Sequence, residues 1–469
     1  MSATPERMSR VDHAWLRMDS ERNLMMIVGV WLLQPALDHA ALCERIAQRL
    51  LQYPRFRQKV VEDALGAQWV EDPDFDLQHH VVREVLPRRR GQSEQAALQA
   101  RCGELASTPL DPARPLWQFG LVEHYQGGSA LLVRIHHCIA DGISLSSVVM
   151  SITDGGQPPP LPPRALHDAA DEGLAGTLIR PLTELAVKAL TLSGDGVARS
   201  LDVAAHPQAA SRELAHMGLR LAQDLKALAL MEDDSRTRLK GRPGGRKRVA
   251  WAEPIPLDVV KAIGKAMGAS INDVLLACVA GALGDYLREQ GEDPSGKAIR
   301  AMVPVNLRPL DQAYQLGNRF GLVPLLLPVG MANPVQRLMA VRAGMAELKG
   351  SYQPLMAFGV LALAGLLSKP AQDALLGLFA SKATAVMTNV PGPAKALTLC
   401  GRTLRQSMFW VPQSGDIGVG VSIFSYAGGV QFALITDSRL CAQPQRIVER
   451  FAPELDKLLW LTLMLPWKP

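Results

Sequence analysis

The sequence predicts an α/β protein of two domains, and three observations favour this. The chain has 469 residues, more than one hydrophobic core normally serves. Strand-like and helix-like patterns occur in both halves. A stretch with five prolines, residues 154–164, lies between the halves, and prolines are not tolerated inside a helix or a central strand. We therefore expect an N-terminal domain at 1–165, a helical connector at 166–248 and a C-terminal domain at 249–469.

The N-terminal half begins with a β-rich apolar run, "LMMIVGVWLL", from Leu24. Helical spacing of apolar residues follows over residues 38–61. Further strands are predicted at "AQWVED" and "WQFGLVEH", and Gly127 and Gly128 predict a turn into a strand that ends "VRIHH". These patterns indicate a largely buried sheet with helices packed on it.

The rest of the chain shows the same mixture. Residues 172–232 have amphipathic helical patterning, and a basic segment, 236–248, follows as a connector loop. Strands are predicted at "AIRAMVPVNLR", "GLVPLLLPV" and "ATAVMTNVPGP", a hairpin at "IGVGVSIFSYAGGVQFALITD", and a last amphipathic helix at the end. The second half is therefore also expected to build a sheet covered by helices.

Composition excludes several classes of protein. Apolar residues make up 48% and charged residues 20% of the chain, which is typical of a folded globular protein. The net charge of +5 is small for a nucleic-acid-binding protein, so no nucleic acid partner is expected. Six cysteines are scattered without a CxxC pair and are expected to be reduced. The longest apolar run, 355–367, is shorter than the roughly 18–20 residues that span a bilayer. We therefore expect a cytoplasmic protein with at most peripheral membrane contact.

The segment "RIHHCIADGIS", residues 134–144, holds the strongest chemical signal. Successive strand residues face opposite sides, so His136 and His137 cannot both face a cleft while the strand continues. An imidazole with an ordinary pKa of about 6.5 can accept a proton from an alcohol. Asp141 could orient that imidazole, hold the loop through an ion pair, or only cap a helix that starts at Gly142. Gly142 is expected to give the backbone freedom for the turn.

Four more segments accompany "HHCIADG" in order. They are "PLW" (Pro115, Leu116 and Trp117), "INDVLLA" with Asn272 and Asp273, "MVPVNLR" ending at Arg308, and "TNVPGP" with Asn389, Pro391 and Gly392. The start "VDHAWLRMDS" carries Asp19. Together they resemble the bacterial wax ester synthase/diacylglycerol acyltransferase family, and the HxxxDG core resembles the wider chloramphenicol-acetyltransferase-like superfamily. The resemblance covers the chain from about residue 8 to 455.

The resemblance implies a chloramphenicol-acetyltransferase-like fold, with each domain a mixed sheet flanked by helices and the active site at the domain interface. It implies transfer of a fatty acyl group from acyl-CoA to a long-chain alcohol or diacylglycerol, with His137 as general base. His136 is then expected to pack or hydrogen-bond behind it. It also implies contact with a membrane or lipid-inclusion surface. No cofactor is expected, since acyl-CoA is a substrate. No metal is expected either, because adjacent histidines lack metal-ligand spacing.

The remaining candidate residues have two interpretations each. Asn272 either donates a hydrogen bond to the oxyanion of the reaction or, with Asp273, only starts a capped helix. Arg308 either pairs with Asp141, as superfamily members do, or lies solvated at a strand end. Core packing is favoured for Trp117, and a tight turn for Pro391 and Gly392.

Two departures from the family pattern affect the prediction. Cys138 replaces the usual small residue after the second histidine and is a rival nucleophile in principle. The run "NLMMIVG" replaces a more common Pro-Met-His-Val-Gly and is expected to alter the wall of a substrate channel. The apolar run 355–367 could line an acyl channel, touch a bilayer or form a core helix. The basic segment 236–248 could meet CoA phosphates or lipid head groups, or be a solvated linker. Alternative functions are a same-fold acyltransferase with another acceptor and a lipid-binding protein with little turnover.

Overall fold

The computed structural model describes residues 5–63, 66–156, 231–307, 316–349, 357, 364 and 367–464. In chain order its strands are β1 (Glu6–Arg7), β2 (Met26–Gln34), β3 (Gln58–Asp63), β4 (Gly66–Glu71), β5 (Val81–Arg83), β6 (Trp117–Tyr125), β7 (Gly128–His136), β8 (Lys247–Trp251), β9 (Ile255–Pro256), β10 (Ile299–Asn306), β11 (Phe320–Leu327), β12 (Ala385–Pro391), β13 (Thr398–Leu399), β14 (Arg402–Trp410), β15 (Val419–Tyr426) and β16 (Gly429–Asp437).

The described α-helices are α1 (Arg10–Arg17), α2 (His39–Arg49), α3 (Leu77–His80), α4 (Glu94–Leu105), α5 (Gly142–Ser151), α6 (Leu257–Met267), α7 (Ile271–Glu289), α8 (Pro334–Lys349), α9 (Lys369–Ala380) and α10 (Pro444–Leu463). Two short 3-10 turns, Leu50–Gln52 and Pro54–Phe56, follow α2. Among these helices none is by itself long and apolar enough to cross a membrane, although α6 and α7, bent by 100° at their junction, pass that test as a pair.

The first large sheet has the strand order β13-β14-β2-β7-β6-β5. Its pairs are antiparallel except for β5 and β6, so the sheet is mixed. One face carries a core shared with α1, α2 and α5. The strands β13 and β14 come from the second half of the chain, and β14 pairs with β2. The first sheet is therefore completed by strands that lie more than half the chain length after its other strands in the sequence.

The second large sheet has the order β11-β10-β12-β15-β16-β8, with β9 paired to β16. The pairs β10–β12 and β12–β15 are parallel and the others antiparallel. Helices α6, α7, α8 and α10 supply most of the apolar side chains that cover this sheet. Helix α7 is buried on nearly all sides and begins with a capping box between Ser270 and Asp273, so the predicted helix start is confirmed.

A third apolar cluster joins the two sheets. It contains Met26 and Val28 of β2, side chains of α4, and Val249 and Trp251 of β8. Trp251 lies 6.0 Å from Trp410 of β14, measured between ring centroids. Strands from both halves thus share one core, which holds the two sheets against each other.

The structure confirms the expected mixed α/β sheets and differs from the sequence prediction in three places. The helix predicted over 38–61 ends at Arg49, and its last residues form β3, because "QKVVED" pairs with β4. The hairpin β13–β14 was not predicted. The boundary predicted at residue 249 does not separate the two sheets. The strands β13 and β14 follow it but belong to the first sheet, and β8 of the second sheet begins before it, at Lys247. Of the connector predicted at 166–248, residues 166–230 lie outside the described residues.

Candidate active site

Three segments meet at His137. Strand β7 ends at His136, residues 137–140 form the turn, and α5 begins at Gly142. Ala140 pairs with Gly317 in an isolated parallel bridge, and the Asp141 amide donates to the Gly317 carbonyl at 3.4 Å. Helix α1 supplies the third segment. The histidine predicted from the motif therefore lies where the two halves of the chain touch.

The His137 imidazole packs against two aromatic rings that also contact each other. It stacks on Trp15 of α1, with centroids 4.1 Å apart and an interplanar angle of 19°, and lies 5.6 Å from Phe320 of β11. The residue is 3% exposed, and Nδ1 is buried without a hydrogen-bond partner in the part of the chain that the structure describes. Its backbone amide donates to the Met25 carbonyl at 2.7 Å. The ring is thus fixed in position but not tied up by a hydrogen bond at Nδ1.

Burial lowers the pKa of His137 to about 4. The carboxylate of Asp141 acts in the opposite direction and favours the charged ring, whereas the neighbouring His136 adds to the lowering. An apolar, aromatic surrounding disfavours the imidazolium because it removes the solvation of the charge. His137 is therefore a neutral imidazole at pH 7 and able to accept a proton.

Asn318 and Asp12 form a buried support behind the turn. The Asn318 side-chain nitrogen donates to the His137 carbonyl at 2.8 Å and to Asp12 Oδ1 at 2.7 Å. The Asn318 amide also donates to Asp12 Oδ1, at 3.1 Å. Burial raises the pKa of Asp12 to about 6, although the hydrogen bond from Asn318 favours its charged form. These contacts fix the backbone of His137 from both halves of the chain.

Trp15, Asn318 and Asp12 were not among the predicted site residues. Trp15 and Asp12 lie in the quoted opening "VDHAWLRMDS", but only Asp19 was singled out there. Asn318 and Asp12 are separated by 306 positions, and no local periodicity relates such residues. Gly317, directly before Asn318, has a φ of 104°, and a glycine is the local sequence sign of such a turn.

His136 contacts Asp19 of the opening segment. The His136 Nε2 atom lies 3.3 Å from Asp19 Oδ2, and Nδ1 accepts from the Cys138 amide at 3.1 Å. Asp19 also accepts from the Met25 amide at 2.5 Å. Because Nδ1 accepts, the ring proton lies on Nε2 toward the carboxylate. His136 therefore links Asp19 to Cys138 of the turn.

Asp141 both caps a helix and holds the loop. One carboxylate oxygen accepts from the Ser144 amide at 2.9 Å, the N-cap contact of α5, and the other accepts from the Arg319 amide at 3.0 Å. Capping α5 and holding the loop, which were given as alternative roles of Asp141, are therefore both present. Its predicted partner Arg308 lies outside the described residues.

Gly142 has a different role from the one predicted. The turn is made by the four residues before Asp141, and Gly142 is already the first residue of α5, with φ outside the left-handed region. A Cβ at this position would meet nothing within 4 Å. The turn does not need a glycine there, so the expectation of backbone freedom is wrong, and the glycine instead leaves space.

The Asn-Asp and NVPGP segments meet at one end of the second sheet. The side-chain nitrogen Nδ2 of Asn389, in β12, donates to Asn272 Oδ1 at 2.6 Å. Asp273 serves the capping box, since its carboxylate accepts from the Ser270 amide at 2.8 Å. Pro391 ends β12, and the Gly392 amide donates to the Ser425 carbonyl at 2.8 Å. A Cβ at Gly392 would lie 2.4 Å from the Phe424 ring, so this close approach requires glycine.

The "PLW" segment lies in the core behind β7. Trp117 is buried, stacks on His80 at 4.5 Å and donates from Nε1 to the Phe56 carbonyl at 2.9 Å. The Leu116 carbonyl accepts from the His136 amide at 2.9 Å, and Pro115 lies two residues before β6. These residues hold the end of β7 in place through packing and one backbone contact.

A small apolar cavity of about 50 Å³ opens beside the turn. It lies between the first sheet and α5, next to Gly142, and is closed on one side by β14 and Phe424. Its lining residues are Ile27, Gly29, Trp31, Val133, Ile135, Gly142, Leu145, Ser146, Val149, Met150, Ser407, Met408, Phe409 and Phe424. Ile27 and Gly29 belong to the run "NLMMIVG", so this run does form a cavity wall.

The sequence analysis also singled out a basic segment and an apolar run, and the structure describes the first of them. The basic segment 236–248 is anchored: the Gly244 and Gly245 amides each donate to Asp437 at 2.9 Å, and Lys247 is buried with Nζ donating to Asn23 at 2.8 Å. The apolar run 355–367 lies outside the described residues except for three positions. Within the described residues no cluster of histidine, cysteine and carboxylate side chains could hold a metal ion.

Sequence comparisons match the chain to one family along most of its length. The model of the wax ester synthase/diacylglycerol acyltransferase catalytic domain matches residues 8–275, and that of the WS/DGAT C-terminal domain matches 316–459. A probable diacylglycerol O-acyltransferase of Mycobacterium tuberculosis is 26% identical over 456 residues, 94% of this chain and 93% of the relative. A putative diacylglycerol O-acyltransferase of the same species is 29% identical over 470 residues, 96% and 99% of the two chains.

Solved structures share the fold. The wax ester synthase/diacylglycerol acyltransferase from Marinobacter aquaeolei VT8 superposes with a TM-score of 0.66 at 23% identity, over 98% of this chain and all of that one (100%). A variant of the starter condensation domain of rhizomide synthetase, solved in complex with C8-CoA, gives a TM-score of 0.57 at 13% identity, over 98% and 95% of the chains. These likenesses confirm the chloramphenicol-acetyltransferase-like α/β fold.

Proposed function

The chain belongs to the wax ester synthase/diacylglycerol acyltransferase family and is an acyltransferase, and on this premise we propose that it moves a fatty acyl group from acyl-CoA to a diacylglycerol or long-chain alcohol. The observation that carries the proposal is the neutral, rigidly held imidazole of His137 at the junction of the two halves. The C8-CoA bound by the rhizomide domain supports an acyl-CoA donor on this fold.

His137 acts in this proposal as general base. It takes the proton of the acceptor hydroxyl while the oxygen attacks the thioester carbonyl. The tetrahedral intermediate collapses with cleavage of the carbon–sulfur bond, and the imidazolium returns the proton to the leaving CoA sulfur. The products are an ester and free CoA, and no acyl-enzyme or cofactor is needed. Burial keeps the ring neutral before the acceptor binds, which suits a base.

Asn272 is the proposed donor to the oxyanion. The side-chain oxygen Oδ1 of Asn272 accepts a hydrogen bond from Asn389. This contact fixes the plane of the Asn272 side-chain amide and points its nitrogen away from Asn389. The first turn of α7 also presents backbone N–H groups that lack intrahelical partners. Such donors stabilise an oxyanion when they are held in place before the reaction.

The exposed end of α10 supports contact with a lipid surface. Arg446 pairs with Glu289 and Lys457 pairs with Asp285, so α10 runs antiparallel along α7. At the end of α10, Trp460 is 63%, Leu463 50% and Met464 78% exposed. Tryptophan and large apolar residues favour the interface between water and lipid. The lipid-soluble acceptor would then be close to the helix that carries Asn272.

Vesicle flotation tests this contact. Wild type should float with vesicles of phosphatidylcholine and phosphatidylglycerol, and the double variant Trp460→Glu/Leu463→Glu should stay largely in the soluble fraction. Val85→Glu, an equally exposed apolar position elsewhere, is the matched control. Equal flotation of the double variant and the control would contradict lipid contact at this helix end.

Thiol release tests the reaction. The purified chain is mixed with palmitoyl-CoA and either dioleoylglycerol or hexadecanol, and free CoA is followed with a thiol reagent. His137→Ala should lower the rate by about 10²–10⁴-fold, the usual contribution of a general base, whereas the exposed His124→Ala should not change it. Full activity of His137→Ala would overturn the assignment, and acyl label trapped on Cys138 would instead indicate a covalent intermediate.

A further inference from the structure

We propose that the indole face of Trp15 stabilises, through a cation–π contact, the imidazolium that forms on His137 during acyl transfer. The inference rests on the proposed function, in which His137 takes the proton of the acceptor hydroxyl and later returns it to the CoA sulfur. Between these two proton transfers the imidazole ring carries a positive charge. Trp15 therefore acts through His137 on the rate of the chemical step, in addition to holding the ring in place.

The stacking geometry suits a cation–π contact. The two rings are nearly parallel, with an interplanar angle of 19° and their centroids 4.1 Å apart. A cation is attracted to an aromatic face when it lies within about 6 Å of the ring centroid, and tryptophan gives the strongest attraction. Both side chains are buried, so little water can screen the charge. The contact is therefore of the desolvated kind, which stabilises a cation more than an exposed contact does.

The other groups around the ring act on its charge in opposite directions. Burial lowers the pKa of His137, the Asp141 carboxylate acts to raise it, and His136 adds to the lowering. The Asp141 oxygens also accept from two backbone amides, so the negative charge is shared with these donors. Asp12 of α1 reaches the His137 carbonyl through Asn318. The negative charge on an indole face, stacked directly on the ring, offsets part of the cost of burying the imidazolium.

Helix α1 keeps the indole against the imidazole. The Ala14 carbonyl, next to Trp15 in the chain, accepts from the Gln372 side chain of α9 at 2.9 Å. Asp12 of the same helix accepts from the Asn318 side chain at 2.7 Å. The helix is thus tied at two points to the second half of the chain. An aromatic face that is held in place before the charge forms needs no reorganisation when it does form.

Phe320 of β11 provides an internal comparison. Its ring centroid lies 5.6 Å from that of His137, and the two rings are tilted by 50°. It also contacts Trp15, with centroids 5.8 Å apart. A longer distance and a tilted face weaken the attraction of a cation. Phe320→Leu should therefore lower kcat by a smaller factor than Trp15→Leu.

Site-specific fluorination of Trp15 is the direct test. Each fluorine added to the six-membered ring of the indole makes its face less negative while nearly preserving its shape. CoA release from palmitoyl-CoA is measured with dioleoylglycerol or hexadecanol for the forms with one to four fluorines. The logarithm of kcat should fall in steps along this series, by about threefold to thirtyfold in total. KM should stay nearly unchanged, because the ring is neutral before the reaction. The same series at Trp251, a buried tryptophan of the third apolar cluster, is the matched control and should leave kcat unchanged.

The series distinguishes a charge effect from packing alone. Equal kcat values for all the forms fluorinated at Trp15, or an equal loss at Trp251, would overturn the proposal. If the fluorinated forms do not fold, Trp15→Phe and Trp15→Leu decide. A phenyl ring keeps part of the negative face, so Trp15→Phe should retain a higher kcat than Trp15→Leu. Equal losses in the two variants, both folded by near-ultraviolet circular dichroism, would contradict the cation–π contact.

A second measurement does not depend on turnover. The pKa of the His137 ring is followed by NMR on histidine-labelled protein, and its signal is assigned with His137→Gln. This pKa should fall along the fluorine series at Trp15 and stay constant along the series at Trp251. Should wild type release no CoA with any pair of substrates, the proposed function fails, while a fall in the pKa of His137 along the Trp15 series would still support the contact.

Discussion

His137 combines a buried ring with an unoccupied nitrogen. Stacking on Trp15 orients the imidazole, and contacts from Met25 and Asn318 fix its backbone. The apolar surrounding that holds the ring also lowers its pKa to about 4. The same burial therefore determines both the geometry and the protonation state of the proposed base.

The pH dependence of kcat/KM should reflect this burial. This quantity reports the protonation of the free enzyme, so it should stay level from pH 8 to about 5 and fall only as the pH approaches 4. A histidine with an ordinary pKa would lose activity from pH 7 downward. Near-ultraviolet circular dichroism at each pH checks that the protein stays folded. An acid limb between pH 6 and 7 would contradict a buried neutral base.

Stability should respond to the same group. Between pH 6.5 and 4 the unfolded chain takes up a proton at His137, whereas the native state does not. The free energy of unfolding is therefore highest above pH 6.5 and falls as the pH is lowered toward 4. His137→Gln should lack this loss. The difference in unfolding free energy between wild type and His137→Gln should therefore change by up to roughly 3 kcal/mol over this range. Urea unfolding at pH 7, 5.5 and 4 measures it, and parallel pH profiles would disprove it.

At the scale of elements, the turn between β7 and α5 is held mainly by segments far away in sequence. Asp141 caps α5 and accepts from the Arg319 amide, and Asn318 reaches both Asp12 and the turn. Helix α1, the turn and the segment before β11 thus form one hydrogen-bonded unit. Loss of one member should affect activity through the position of His137.

Asp141 offers a graded test of this unit. Asp141→Ala leaves the amides of Ser144 and Arg319 without their acceptor and should lower the unfolding free energy by about 1–3 kcal/mol. Asp141→Asn keeps one oxygen acceptor and should recover part of this loss. Thermal unfolding and kcat/KM are measured together. The unit is not needed for catalysis if Asp141→Ala unfolds earlier but keeps the wild-type kcat/KM.

Many of the individual strands and one helix start could be predicted from the sequence. The strands β2, β6, β7, β10, β11 and β12, the hairpin β15–β16 and the capped start of α7 follow from apolar patterning and turn residues, which are local signals. The pairing of β14 with β2, the Asp12–Asn318 contact and the stacking of Trp15 on His137 depend on tertiary contacts between distant residues. Local propensity cannot encode them, so the position of the candidate base His137 was predictable from the motif, while most of the contacts that hold it were not.

At the scale of the whole molecule, the helical layer on the second sheet carries a buried ion pair. Arg337 of α8 contacts Glu454 of α10 and also donates to the Ala277 carbonyl of α7 at 3.0 Å. Both residues are almost fully buried. The pair therefore links three helices at one point where neither charge can be solvated.

Removal of one partner should destabilise the protein strongly. Glu454→Ala leaves the Arg337 guanidinium buried without its carboxylate and should cost about 3–5 kcal/mol. Replacing both charges, as in Arg337→Met/Glu454→Leu, should restore much of that stability because no unpaired charge remains. Denaturant unfolding compares the three proteins. A double variant as unstable as the single one would show that the pair is not acting through charge burial.

The origin of β14 has a consequence for the order in which the molecule is made. When residues 1–156 have left the ribosome, β2 has its partner β7 on one side but an open edge on the other, because the strand that covers it begins at Arg402. An uncovered central strand exposes backbone hydrogen-bonding groups and apolar side chains that can pair with other chains. The nascent N-terminal half is therefore vulnerable to aggregation until nearly the whole polypeptide has been synthesised.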